Sequence, residues 1–236
     1  MKVMSKPDGW LKYTQRKDMK NKRLGVFAHC FVENGDQPQI KDVYKKIVDI
    51  AIEEDTCIVL SASQSLVLPN HNLLYEEWSD YDEFFNVQLK RKYRNAFFRW
   101  LDPIRKGPVS PEFTHIFASS GEHPMGIAPQ NAYTSITSAH IEYDNYHTAY
   151  LLLNEYVAEA KANGMRAFVN AHQSLNDPNH FLLYEVWLDF SELMTTGIQD
   201  NIEIRKKLDG IAIENSEKSS VELFQVYYDP QKYQPS

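Results

Sequence analysis

The sequence predicts an α+β protein made of two tandem copies of one βαββαβ unit, with the two sheets packed face to face. Three observations carry this. Residues 64–83 (QSLVLPNHNLLYEEWSDYDE) and 173–192 (QSLNDPNHFLLYEVWLDFSE) agree at thirteen of twenty positions, at a constant offset of 109. Strand-like and helix-like segments follow in the same order around both blocks. Between the copies, the stretch from Ser119 to Ala132 (SSGEHPMGIAPQNA) has the Gly and Pro content of a boundary.

Taken in order, residues 24–32 (LGVFAHCFV) and 134–142 (TSITSAHIE) are β-rich and predict the first strand of each copy. Their Ala-His pairs, Ala28-His29 and Ala139-His140, are 111 apart, which implies a two-residue length difference before the next block. A helix follows in each copy. Ile40, Val43, Tyr44, Ile47, Ile50 and Ala51 make one face after Pro38, and Ala149, Leu152, Leu153, Tyr156, Val157 and Ala160 make the other. Asn163-Gly164 predicts the second helix's stop.

Cys57–Ser63 and Met165–Ala171 read as second strands, and Leu73–Trp78 and Phe181–Trp187 as third strands. Leu68-Pro69-Asn70-His71 and Asp177-Pro178-Asn179-His180 form the turns between them, Pro presetting φ at the second turn position. His71 and His180 then fall in loops. Asp80 with Glu83, and Asp189 with Glu192, have capping-box spacing and start the second helices. Phe113–Ala118 and Val221–Tyr228 complete the units. The expected division is a basic arm over 1–23, a first unit over 24–120, a linker over 121–132 and a second unit over 133–230. A sheet with helices on one face leaves its other face to be buried, and a second copy can bury it.

The net charge of −7 argues against a nucleic-acid partner. Eight Lys and Arg fall within the first 23 residues, which reads as a solvated arm. No apolar run is long enough for a membrane span or follows the N-terminus as a signal core. Cys30 and Cys57 sit in apolar runs and read as buried free thiols, so a cytoplasmic location is expected.

The Pro-Asn turn, the LLYExW strand and the capped helix after it resemble the antibiotic-biosynthesis-monooxygenase (ABM) family. That resemblance implies ferredoxin-like units joined as an intramolecular dimeric α+β barrel. It also implies a cofactor-independent monooxygenase acting with O2 on a small aromatic phenol or quinol, in which Trp78 and Trp187 line the substrate cavity. The family's frequent second-helix histidine, an iron ligand in its haem-degrading members, has no counterpart at Asn86–Lys90 or Gly197–Asp200. Haem degradation is therefore disfavoured.

Strand alternation places Glu76 beside Trp78 and Glu185 beside Trp187. Each carboxylate is either a general base with a raised pKa or a partner for Arg or backbone donors. Each Trp is either a pocket wall or core. His29 and His140 are either general bases or hydrogen-bonded core residues. Copy one continues with a basic aromatic stretch (Lys90–Trp100), read either as an amphipathic helix with a solvated basic side or as charges that attract an anionic ligand.

No His pair at i, i+4 and no Cys-x-x-Cys occurs, and no Gly-rich phosphate loop follows a strand. The expectation is no metal, no cofactor and no serine-hydrolase chemistry. The alternative to an oxygenase is a non-catalytic small-ligand-binding or scaffold protein, or a chain in which only one copy is catalytic.

Overall fold

Leu24–Val32 (β1) alternates residues between two buried environments, so both of its faces must be covered. In the computed structural model, which describes residues 17–33, 35–109, 111–123, 132–163, 167–214 and 218–230, both are. The first copy continues with α1 (Gln37–Ala51), β2 (Cys57–Ser65), β3 (His71–Trp78), α2 (Tyr81–Asn86) and α3 (Lys92–Leu101). A two-residue strand, β4 (Arg105–Lys106), precedes β5 (Glu112–Ser119). The second copy comprises β6 (Tyr133–His140), α4 (Tyr146–Asn163), β7 (Phe168–Ser174), β8 (His180–Trp187), α5 (Phe190–Glu192), α6 (Ile198–Asp209) and β9 (Ser220–Tyr228).

Hydrogen bonds link the long strands in the order β3-β2-β9-β6-β8-β7-β5-β1, and β1 pairs back to β3. The result is an eight-stranded antiparallel barrel. The copies meet at two seams, β2 with β9 and β5 with β7. β1 and β6 lie four antiparallel steps apart in the ring and so run the same way. The pseudo-two-fold axis therefore runs along the barrel.

Apolar side chains sort into three clusters. One packs the first sheet on α1, α2 and α3. A second packs the other sheet on α4 and α6. The third fills the lumen with Phe27, Tyr75, Phe168, Tyr184, Phe224 and smaller neighbours. Tyr75 and Tyr184, equivalent in the repeat, stack across the axis with centroids 3.9 Å apart. Gly25 lets the lumen close: a Cβ there would lie 2.6 Å from Thr114 Oγ1 and 2.8 Å from the His172 ring.

Local chemistry fixes the connections as the sequence indicates. His71 N donates to Leu68 O and His180 N to Asp177 O, each at 2.9 Å, closing the two turns. Gln64 and Gln173 side chains brace them by donating to Pro69 O and Pro178 O. Asp80 Oδ1 accepts from Glu83 N at 3.0 Å, and Asp189 Oδ1 from Glu192 N at 2.9 Å.

Four readings change. Ile50 is exposed and Val48, two residues earlier, lies in the core, because the buried stripe runs Ile40, Val43, Tyr44, Ile47, Val48 and Ala51 at helical spacing. His71 and His180 are the first residues of β3 and β8, not loop residues. The end of the basic arm packs on the body: Met19 is buried and Arg23 forms an ion pair with buried Glu77. The 111 offset is not structural. Leu24 faces Trp78 and Tyr133 faces Trp187, so the first strands align at 109 like the third strands. Gly164 and residues 124–131 of the expected linker lie outside the described residues. Among the described residues no helix is long and apolar enough to cross a membrane, and Cys30 and Cys57 are buried free thiols.

Candidate functional site

The first copy has an apolar cavity between its sheet and helices α2 and α3. Alternation along β1 and β3 turns Val26, Ala28, Leu74 and Glu76 toward it, while Phe84, Leu89, Arg94 and Phe97 close it from the helical side. Its volume is 40 Å³, well below the roughly 300–1,000 Å³ of sites that enclose a drug-sized ligand.

The polar end of this cavity is a buried ion pair. Arg94 Nη1 donates to Glu76 Oε1 at 2.8 Å and Nη2 donates to Oε2 at 2.6 Å. Trp78 Nε1 adds a third donor to Glu76 Oε2 at 2.9 Å. Arg94 is 5% exposed and Glu76 3%. Burial alone would lower the Arg94 pKa, but the Glu76 charge and its hydrogen bonds outweigh this and raise it. The third guanidinium donor, Nε, is buried with no acceptor in hydrogen-bonding geometry. Adjacent Tyr93, its ring 5.6 Å from the guanidinium carbon, donates to Gln88 Oε1 instead. Arg94 thus departs from the solvated basic side expected of Lys90–Trp100. A fixed carboxylate beneath α3 draws it inward. Of the two readings of Glu76, the Arg partner is the one observed. Trp78 is fully buried behind Glu76 and is not a cavity wall.

The second copy builds the same positions differently. Glu185 accepts from Ser135 Oγ and from the Tyr156 hydroxyl, both at 2.9 Å. Trp187 Nε1 reaches Ser135 Oγ at 3.3 Å. Gly197, in a π-helical turn, lies against the Trp187 ring, where a Cβ would sit 3.0 Å from Cζ2. Trp187, like Trp78, is fully buried.

His29, His71, His140 and His180 belong to the opposite face of the sheets, at one mouth of the barrel. His29 Nδ1 lies 2.8 Å from His71 Nε2, and His71 Nδ1 lies 3.6 Å from Glu222 Oε2. Across the axis, His180 Nδ1 lies 2.6 Å from Glu112 Oε1, and His140 Nε2 lies 3.4 Å from Asp177 Oδ2. Each His–Glu contact joins the third strand of one copy to the last strand of the other. With the copies aligned at 109, His29 corresponds to Ser138 and His140 to Phe31. Ring stacking agrees: Phe31 stacks on His71 at 4.3 Å, as His140 stacks on His180 at 4.5 Å. His29 and His140 are therefore not like positions. Burial pushes His71 down to about 4, with His29 adding to the shift. Burial also lowers His29, against the pull of Glu222 and Glu112. For Glu112, burial works upward, but the His180 hydrogen bond and charge bring the net shift down.

Sequence reasoning brought Glu76 and Trp78 together correctly. It missed Arg94, which depends on how α3 meets the sheet, and it missed the partners of His29, which come from three separate strands. The EF and EL pairs at Glu112-Phe113 and Glu222-Leu223, 110 apart, were the one available signal for the latter.

No family model matches the sequence, and no curated protein matches it. Solved structures do share the fold. A candidate monooxygenase from Fusobacterium nucleatum superposes with a TM-score of 0.70 at 14% identity, covering 91% of this chain and 99% of that one. An anthrone oxidase-like protein gives 0.60 at 15% identity over 88% and 92%. A ferredoxin-fold protein related to antibiotic biosynthesis monooxygenases, from Listeria monocytogenes, gives 0.52 at 11% over 91% and 99%. The chain thus shares its fold with these proteins across nearly its whole length.

Proposed function

We propose that the chain is a monooxygenase that oxidises a small phenol or quinol with O2, without a cofactor, in the cavity between the first sheet and helices α2 and α3. One observation carries the location: the buried Arg94 Nε, with no acceptor in hydrogen-bonding geometry, beside a cavity lined otherwise by apolar side chains and the paired Glu76. A phenolic oxygen placed there gains a charge-assisted hydrogen bond that favours its anion. The phenolic proton leaves to solvent water, the anion passes an electron to O2, and the resulting radicals combine at a ring-activated carbon. The peroxide takes a proton back from water, and the hydroperoxide loses water with that carbon's hydrogen to leave a carbonyl. One O2 is consumed and one water released. Glu76, already holding three donors, positions Arg94 and is not the proton acceptor. The shared fold with proteins named as monooxygenase-like or anthrone oxidase-like supports the reaction class. Admission of an aromatic ring requires the cavity to widen, and Leu89, at the α2–α3 junction, is one of its walls.

A second reading, ligand binding without turnover, has its own support: among the wall residues Glu76 is the only carboxylate, and it is occupied. Oxygen uptake by metal- and flavin-free protein across quinols and polycyclic phenols separates the two. Uptake abolished by the cavity-filling Leu89→Trp, with an unchanged melting temperature, supports the oxygenase at this site. Uptake that survives Leu89→Trp moves the site elsewhere. Saturable binding with no uptake favours the second reading.

A further inference from the structure

We infer that one mouth of the barrel is a binding site for a divalent first-row transition cation, held by the imidazoles of His29 and His71 and the carboxylate of Glu222. One ligand atom from each of the three lies within 4.8 Å of the others. The two imidazole nitrogens are 2.8 Å apart, close to the roughly 3 Å separating neighbouring ligands whose bonds to a metal are about 2.0–2.1 Å. The donors stand on β1, β3 and β9, strands locked into a closed barrel, so their backbone positions are fixed. The partly exposed Glu222 side chain, 3.6 Å from His71 Nδ1, is free to turn to an ion held by the two imidazoles. Phe31 stacks on the His71 ring at an interplanar angle of 10°, and Phe224 meets its edge at 71°. These contacts fix the imidazole plane as an outer shell does around a metal.

Two nitrogens and one carboxylate suit zinc, iron, cobalt, nickel or copper. Calcium, which takes about six to eight oxygens, is not suited. Three protein ligands also leave room for water or a small anion. The site is single. Its counterpart has Ser138 where His29 stands, and His180 there is bonded directly to Glu112. It is also independent of the proposed oxidation, which uses Val26 and Ala28 on the other face of β1. The competing account is a metal-free cluster in which one ring donates N–H to the other.

The test is titration of the chelator-stripped full chain with Co²⁺, followed by visible absorption, and with Zn²⁺ by calorimetry. One ion per chain is expected, with at least about tenfold weaker binding in His29→Gln and in Glu222→Gln, and unchanged binding in His140→Gln. Glu222 is 43% exposed, so its substitution does not threaten the fold. Absence of saturable binding up to about 1 mM overturns the inference. So does binding that survives Glu222→Gln but is lost in His140→Gln, which would place the ion at the exposed His140–Asp177 pair.

Discussion

Burial decides which protons the folded chain can hold. His172, with no exposed surface, is pushed down to about 3 by desolvation, with His115 and Arg23 adding to it. Buried His123 is also pushed to about 3, and His71 to about 4. Unfolded histidine titrates near 6.5. Below that pH the unfolded chain binds more protons than the folded one, so stability falls as pH drops from about 6.5 toward 3, by up to about 1.4 kcal/mol per pH unit for each such residue. Asp229 acts in the opposite sense. Its desolvation raises it to about 7, so its contribution weakens as pH rises between about 4 and 7. With three histidines against one aspartate, the urea midpoint is expected to fall steadily from pH 7 to 4.5. A flat or rising midpoint contradicts the burial of these rings. None of this was visible residue by residue in the sequence. His71 follows a Pro-Asn turn and reads as a loop residue, because its burial depends on Phe31, His29 and Phe224 arriving from other strands.

At the scale of elements the sequence is far more legible, because turns and caps are decided by residues next to one another. The strand starts at Leu24, the two Pro-Asn turns and both Asp caps appear where the local chemistry puts them. Replacing Asp80 or Asp189 with Ala leaves a first-turn N–H without its acceptor. Each substitution is expected to cost about 1 kcal/mol in chemical denaturation. A change below about 0.3 kcal/mol at either position would mean that water replaces the cap fully. Periodicity fails where an element meets the rest of the molecule. The basic stretch Lys90–Trp100 has the charge pattern of a solvated helix, yet α3 turns Arg94 onto Glu76. A bidentate, nearly dry pair of this kind overrides the pattern, and it is set by the docking of α3, not by its own sequence.

For the molecule as a whole, the repeat made the architecture readable: thirteen shared positions imply equal units, and equal half-covered sheets imply a face-to-face barrel. Function was less readable, since the cavity and the histidine mouth each gather residues that are distant in the chain. Residues 24–120 alone expose the lumen faces of Phe27, Val59 and Tyr75, with the seam edges of β2 and β5. That fragment is expected to form a homodimer whose dissociation follows dilution, measured by sedimentation. A folded monomer at micromolar concentration would show that the barrel is not what stabilises the unit. The pseudo-two-fold axis running along the barrel has one more consequence. In an assembly of identical subunits, every side chain near such an axis arrives in duplicate, and its chemistry comes in even sets. Joining the halves in one polypeptide releases selection from that symmetry. Phe31 can differ from His140 and His29 from Ser138, so the rim of the barrel can evolve an unpaired, odd-numbered set of groups that no homodimer could display there.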